Sequence, residues 1–437
     1  MSPSSRHRRA GPGSSSLPLA PPGGMQDILP PFAEARARLA RRIAETFRCH
    51  GFERVTTPPF EHEIVLGRGI ETVDRRELMR FVEPETGEVA LLRPDITPQI
   101  ARIHATRLAD RPGPSRLYYE GVVMRRSRRR ARRERQIHQA GIEHIGTPGP
   151  EADAEIIEVA AHACRQAGLS DFRIELGQVG LGRAALKALP ADARAEASAA
   201  MLCKDGARLE ISLKAAGLPA AARRSILGLL ELYGGEEVLG LARRQLRGSE
   251  ASAALDRLEA VVERVHDLLG AQLRIDLGEL RHQAYYTGVS FTILAPGPGE
   301  PVGAGGRYDD LVGRFGAPAP ATGMALDLDH LIKALTKAGD GLELEDAMRI
   351  LVAGSDPESD RFAEQLREAD RVAGRFFGSR RAEALAYARA WGYPLLVMPG
   401  ARRWRALRVA DETTLELGER PLEELLALSD GARGGRR

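Results

Sequence analysis

Cysteine is scarce. Cys49, Cys164 and Cys203 are three in 437 residues, far apart and without the spacing of metal ligands. That excludes a disulfide framework and fits free thiols in a reducing compartment. Long apolar runs are missing as well. Nothing approaches the ~18 apolar residues of a membrane span, and the opening MSPSSRHRRAGPGSSSLPLA holds no signal-peptide core, so a cytoplasmic protein without membrane contact is expected. Net charge is nearly absent, with Lys+Arg 63 against Asp+Glu 60 and a formal +3. The chain as a whole is therefore neither a nucleic-acid coat nor a funnel for acidic substrates, and any such role rests on local charge. No metal cluster and no nucleophile–His–acid pattern stands out, so neither a metal nor a cofactor is expected.

What is present is length enough for more than one domain of ~150 residues. The tails, 1–20 and 429–437, cannot bury enough apolar surface to offset their ordering entropy and are expected to be disordered. In between, FAEARARLARRIAETFR (32–48) repeats apolar positions at steps of three and four, the mark of an amphipathic helix, and GFERVTTPPF reads as extended. Short strands are expected at VALLRPD, SRLYYEGVVMR and FRIELGQVG, with a long helix over 150–168. Strands and helices do not alternate regularly, which predicts an α+β core (21–340) on a largely antiparallel sheet rather than a doubly wound parallel one. Residues 181–273, rich in Ala, Leu, Glu and Arg at helical spacing, read as a helical insertion. Strands resume at 285–293, followed by a glycine-rich turn at 302–308 and a helix starting near Met324. A small α/β module over 346–428 shows apolar strands at 350–353 and 394–398.

The densest feature is RRSRRRARRER (125–135), eight arginines in eleven positions. It reads either as a solvated loop between two apolar strands or as a phosphate-gripping loop of guanidinium forks. Gln139 and Glu143 stand four apart around Gly141, so on a strand they share a face. An amide and a carboxylate side by side suit a ligand carrying an ammonium or imidazole N–H, although an acidic residue is more often a surface group. Arg93, Asp95 and Thr97 in LLRPDITPQIAR are compatible with a polar pocket wall and equally with a turn in which Thr97 caps a helix. VGAGGRYDD allows close backbone approach but lacks the strand and helix context of a dinucleotide or P-loop site.

Taken together and in order, these motifs resemble the catalytic core of histidyl-tRNA synthetases, a class II synthetase fold, over about residues 25–335. LLRPDITPQIAR resembles the segment that holds the amino group of histidine, and YYEGVVMRRSRRRARRERQIHQAGIEHIG the second signature motif. ELRHQAYYTG resembles the histidine-specific loop, and AGGRYDDLVGRFG with ATGMALDLDHL the third signature region. The resemblance implies a histidine pocket of Asp95, Thr97, Gln139, Glu143, Arg281, Tyr285 and Tyr286, with Arg125 matching the arginine on the ATP α-phosphate. Asp95 and Gln139 would accept from the α-ammonium, Arg281 would fork onto the carboxylate, and Glu143 with a tyrosine hydroxyl would serve the imidazole.

The departures from the synthetases are as informative. Ser127 stands where the second motif has a glutamate, and His330 where the third ends in the arginine that binds triphosphate. A hydroxyl does not replace an acceptor carboxylate, nor an imidazole a guanidinium fork, so adenylation should be crippled. His282, Gln283 and Ala284 differ from the usual Gly-Leu-Asp. With Asp95 after Arg-Pro, the pattern is more similar to the synthetase paralogue that serves as the regulatory subunit of ATP phosphoribosyltransferase. That resemblance implies a non-catalytic, histidine-binding subunit. It would be a homodimer through residues 32–59 inside a hetero-oligomer with a short-form catalytic subunit, required for the first step of histidine biosynthesis and its feedback inhibition by histidine. The stretch RILVAG…RRAEALAYARAWGYPLLVMPG resembles a shortened anticodon-binding domain, a packing remnant on this reading, with tRNA not expected as a partner. The alternatives are a divergent histidine-tRNA ligase, holding tRNA through the arginine loop and C-terminal module, and a free-standing paralogue acting on another amino acid or protein.

Overall fold

The computed structural model describes residues 19–70, 78–125, 134–246, 248–280, 285–339, 349–400 and 403–431. The chain divides into two compact units, 1–340 and 341–437. The arginine-rich positions 126–133, Ser127 among them, and Arg281, His282, Gln283 and Ala284 lie outside the described residues.

In the first unit the strands are β1 (Glu53–Arg54), β2 (Phe60–His62), β3 (Arg80–Val82), β4 (Val89–Leu92), β5 (Ser115–Met124), β6 (Gln136–Ile145), β7 (Arg173–Gln178), β8 (Tyr233–Gly234), β9 (Leu273–Asp276), β10 (Val289–Leu294), β11 (Gly303–Arg307) and β12 (Ala321–Asp327). Its helices are α1 (Phe32–Cys49), α2 (Glu63–Leu66), α3 (Thr97–Ile103), α4 (Pro150–Gln166), α5 (Val179–Leu186), α6 (Ala191–Leu202), α7 (Gly206–Ala215), α8 (Ala220–Leu230), α9 (Glu237–Gln245), α10 (Ser249–Leu269) and α11 (Leu328–Ala338). Nine strands form one sheet in the order β1-β5-β6-β12-β11-β10-β7-β9-β8, and β2-β4-β3 form a small second sheet. The pairs from β5 to β7 across the middle are all antiparallel, while β1–β5 and β7–β9 are parallel.

The amphipathic pattern at 32–48 is α1, whose buried stripe is Ala35, Leu39, Ala40, Ile43, Thr46 and Phe47. Helix α4 starts with Pro150 at its first position, where a missing N–H leaves no bond unmade, and carries Glu151 and Asp153 toward the positive end of its dipole. Residues 181–273 hold α6 to α10 and most of α5, interrupted by the two-residue β8. Two local expectations are corrected. The glycine-rich stretch at 302–308 is not a turn but contains β11, and Met324 lies inside β12, with the helix beginning only at Leu328. In β11 the glycines are required by crowding: a Cβ on Gly305 would come within 2.5 Å of the Gly323 carbonyl and 2.7 Å of the Phe291 ring. The helix is delayed because the Asp327 carboxylate accepts from the N–H groups of Asp329 and His330, both at 3.1 Å, and so caps α11.

The second unit contains β13 (Ile350–Ala353), β14 (Ala373–Phe376), β15 (Leu395–Pro399), β16 (Trp404–Arg408) and β17 (Thr414–Glu416), with α12 (Pro357–Glu368), α13 (Arg381–Ala390) and α14 (Pro421–Gly431). The sheet order is β14-β13-β15-β16-β17, parallel across β14, β13 and β15 and antiparallel beyond. Three of these strands, β14, β16 and β17, had no apolar run to announce them. Among the described residues no helix is long and apolar enough to cross a membrane.

Candidate functional site

The site stands on the middle of the nine-stranded sheet. Opposite residues of an antiparallel ladder share a face, and Glu143 of β6 lies opposite Gly323 of β12, while Gln139 lies opposite Asp327. Gln139 and Glu143 therefore do share a face of one strand. The absence of a side chain at Gly323 makes the room: a Cβ there would collide with the Glu143 carboxylate. Gly141 does the same for Tyr119, whose hydroxyl would lie 2.5 Å from a Cβ at that position.

The Glu143 carboxylate, 1% exposed, is ringed by hydroxyls. Thr97, at the start of α3, donates to Oε1 at 2.6 Å, Tyr119 of β5 donates to the same oxygen at 3.3 Å, and Tyr308 donates to Oε2. Burial pushes the carboxyl up to about 8, and the Asp95 carboxylate adds to that, against the hydroxyl bonds that favour the charged form. The three phenols Tyr119, Tyr285 and Tyr308 are held well above their ordinary range, by burial first and next by the nearby carboxylates, Glu143 for Tyr119 and Tyr308 and Asp95 for Tyr285. They keep their protons and act as donors.

Asp95 accepts from the Thr97 N–H at 3.3 Å and from the Tyr285 hydroxyl at 3.0 Å. The Tyr285 ring packs against Tyr286, centroids 4.9 Å apart, and edge-on against Tyr308 at 5.7 Å. Arg125 lies at the rim, with Nη2 3.9 Å from Asp95 and Nε donating to the Pro94 carbonyl at 2.6 Å. Gln139 is buried, and its side-chain carbonyl has no hydrogen-bond partner among the described residues. A buried acceptor left open is rare and points to a missing donor.

Direct bonds thus join Asp95, Thr97, Glu143 and Tyr285, ring packing adds Tyr286, and Gln139 shares the strand face. Arg281 lies outside the described residues. Arg93 lies on the same sheet face, over Gly121 opposite Gln139, and donates to the Val122 carbonyl and to both oxygens of Thr57, bracing the turn that carries Asp95. Sequence reasoning missed Tyr119 and Tyr308. Tyr119 was legible in part, as an alternate residue of LYYEG on the face of Gly121. Tyr308 had only its position at the end of a glycine strand.

Toward the end of β12 the arrangement changes character. His330 is 4% exposed, and its Nδ1 donates inward to the Pro301 carbonyl at 2.9 Å. Behind the pocket Arg307, 1% exposed, grips both oxygens of Asp153 on α4 at 2.9 and 3.0 Å and donates to the carbonyls of Thr147 and Gly149. That fixes the chain immediately before Tyr308.

Residues 24–331 match the family model described as histidyl-tRNA synthetase. An ATP phosphoribosyltransferase regulatory subunit from Moorella thermoacetica is 41% identical over 350 residues, 78% of this chain and 88% of that protein. One from Geobacter sulfurreducens is 38% identical over 323 residues, 73% of this chain and 74% of that protein. A solved Bacillus halodurans structure, described as an ATP phosphoribosyltransferase regulatory subunit/histidyl-tRNA synthetase, is 26% identical with a TM-score of 0.76, covering 86% of this chain and 97% of its own. A histidyl-tRNA synthetase from Nostoc shares the fold, with a TM-score of 0.77 at 21% identity over 94% of this chain and all of its own. The nine-stranded sheet is thus that of a class II, histidyl-tRNA synthetase-like core. Within that class the chain belongs to the family of ATP phosphoribosyltransferase regulatory subunits.

Proposed function

We propose that this chain binds free histidine in the Glu143 pocket and passes that signal to a short-form ATP phosphoribosyltransferase catalytic subunit, which it activates and renders sensitive to feedback inhibition. It catalyses no aminoacylation on this reading. The observation that carries it is the contrast between a hydroxyl-lined carboxylate beside a Gln139 acceptor that has no partner among the described residues and a His330 side chain, at the start of α11, turned inward onto Pro301. The imidazole N–H of histidine donates to Glu143, its ammonium to Gln139 and Asp95, and Arg281 meets its carboxylate. Regulation then requires different histidine affinity in two states of the complex, a coupling typically worth ~1–3 kcal/mol.

Calorimetric titration of the purified chain with histidine, paired with ATP–pyrophosphate exchange on the same sample, is the test. Binding without exchange is expected. Histidine-dependent exchange would return the chain to the ligases.

Proton linkage gives a second expectation. Histidine needs Glu143 ionised, and in the empty pocket that group titrates at about 8. Below that pH binding must expel a proton, so affinity should rise toward pH 8 by up to about tenfold per unit, with proton release visible as a buffer-dependent heat. Glu143 has the opposite effect on folding of the empty chain. Its pKa is raised above the unfolded value, so the folded state binds more protons and this group lowers stability as pH rises from the ordinary carboxylate range to about 8. Affinity that is flat between pH 6 and about 8 would show that Glu143 does not titrate on binding.

We further propose a homodimer through residues 32–59. The short β1 is an edge of the large sheet, and Phe32 at the start of α1 is exposed, an arrangement an isologous partner would cover. Light scattering at micromolar concentration should give twice the chain mass, and a monodisperse monomer would exclude it.

A further inference from the structure

In the second unit β13 and β14 lie side by side and parallel, and the helices that follow them cover opposite faces. Phe362, Ala363 and Leu366 of α12 pack on Ile350 and Val352, whereas Ala384, Leu385 and Ala388 of α13 pack on Leu351 and Ala353. The chain therefore leaves two adjacent strand ends in opposite directions, which opens a crevice beyond their carboxyl ends, the place where open α/β sheets hold ligands.

Arg375 of β14 reaches this place. Its Nη2 donates to the carbonyl of Gly354, the residue after β13, at 2.9 Å and meets Asp360 at 2.8 Å. Its guanidinium carbon lies 5.3 Å from the ring centre of Phe377, the residue after β14. The side chain is only 8% exposed, and Nε and Nη1 are both buried without a hydrogen-bond partner among the described residues. A buried guanidinium with two of its three nitrogens unfilled calls for acceptor oxygens. Phe377 over it is 75% exposed, so the outer face of its ring is open.

The loop from Phe377 through Gly378 and Ser379 ends at the N-terminus of α13, whose cap residue Arg380 makes no side-chain capping bond. Arg380 and Arg381 thus bring cations to the positive end of a helix dipole, a placement an anion would relieve. The neighbouring end of α12 is already filled by Asp356, which accepts from the N–H and the hydroxyl of Ser359. Among the described residues the opposing carboxylates are Asp356 beside Gly354, Asp360 on Arg375, Glu383 on Arg380 and Glu412 3.9 Å from Arg381.

We propose that the crevice between β13 and β14 binds a phosphoryl group, with Arg375 and the free amides of α13 as donors and Phe377 beneath any apolar remainder of the ligand. The proposal is independent of the histidine pocket. It is tested on the full chain by titration with inorganic phosphate at constant ionic strength, followed by phosphorus NMR. Saturable binding is expected, weakened about tenfold or more by R375Q and by the exposed pair R380S/R381S, and unchanged by R125Q. Should R375Q fail to fold, the exposed pair decides. Phenyl phosphate is expected to bind more tightly than phosphate, and F377A to remove the difference. No saturable binding, or binding lost in R125Q but kept in R375Q and in the exposed pair, would overturn the proposal.

Discussion

Glu143→Gln is expected to weaken histidine binding by about 30- to 150-fold, equivalent to about 2–3 kcal/mol, while the chain stays folded. The carboxylate now accepts from Thr97, Tyr119 and Tyr308, three hydroxyls from three separate segments, and keeps acceptor capacity for one ligand N–H. An amide has one acceptor oxygen instead of two and turns two donors into a ring of donors. The imidazole N–H then meets another N–H in a site buried from bulk solvent. Folding is spared because the substitution conserves volume, and burial already disfavours the charge that it removes. The same titration should show the pH dependence flattened, since the titrating group is gone. Unchanged affinity would place histidine elsewhere and remove the basis of the sensor reading.

How much of this was legible in the sequence differs by element. The stripe of α1 is written in residue spacing, and Gln139 and Glu143 fall on one face of β6 as period two demands. The glycines of β11 read as a turn because glycine is poor in strands, and only the neighbours Phe291 and Gly323 explain why nothing larger fits. The end of β12 was hidden by helix formers that run straight through it, and the cap at Asp327 became visible only as hydrogen bonds. Tyr119 and Tyr308 were missed for a related reason. Their roles depend on which residues lie opposite, and cross-strand partners such as Gly141 for Tyr119 are set by a register that no local pattern states. The pocket residues carried over by resemblance were easier to name than to derive, since Asp95, Glu143 and Tyr285 come from three distant segments and acquire a joint meaning only when the chain brings them together.

The largest loss of stability is expected from Asp153→Ala, about 3–5 kcal/mol, because it strands the guanidinium of Arg307 in the interior. Arg307 is 1% exposed and Asp153 2%, so neither charge can turn to solvent when its partner is removed. What would remain for Arg307 is the half-exposed Asp309 at 3.0 Å, which balances the charge only in part from the solvent side, and the carbonyls of Thr147 and Gly149, which accept hydrogen bonds but carry no charge. Arg257 of α10 would lose the same carboxylate, 3.5 Å away, which loosens the last insertion helix against α4. The prediction separates pairing from mere polarity. Replacing both partners, as Asp153→Leu with Arg307→Met, should cost less than removing Asp153 alone, since two buried charges disappear together. Urea unfolding followed by the near-ultraviolet tyrosine signal measures both variants. The single variant should also bind histidine more weakly, because Arg307 holds the strand end that delivers Tyr308 to Glu143. If the double replacement proves at least as damaging as the single one, the pair is valued for its shape at the foot of α4, and its charge is incidental to the fold.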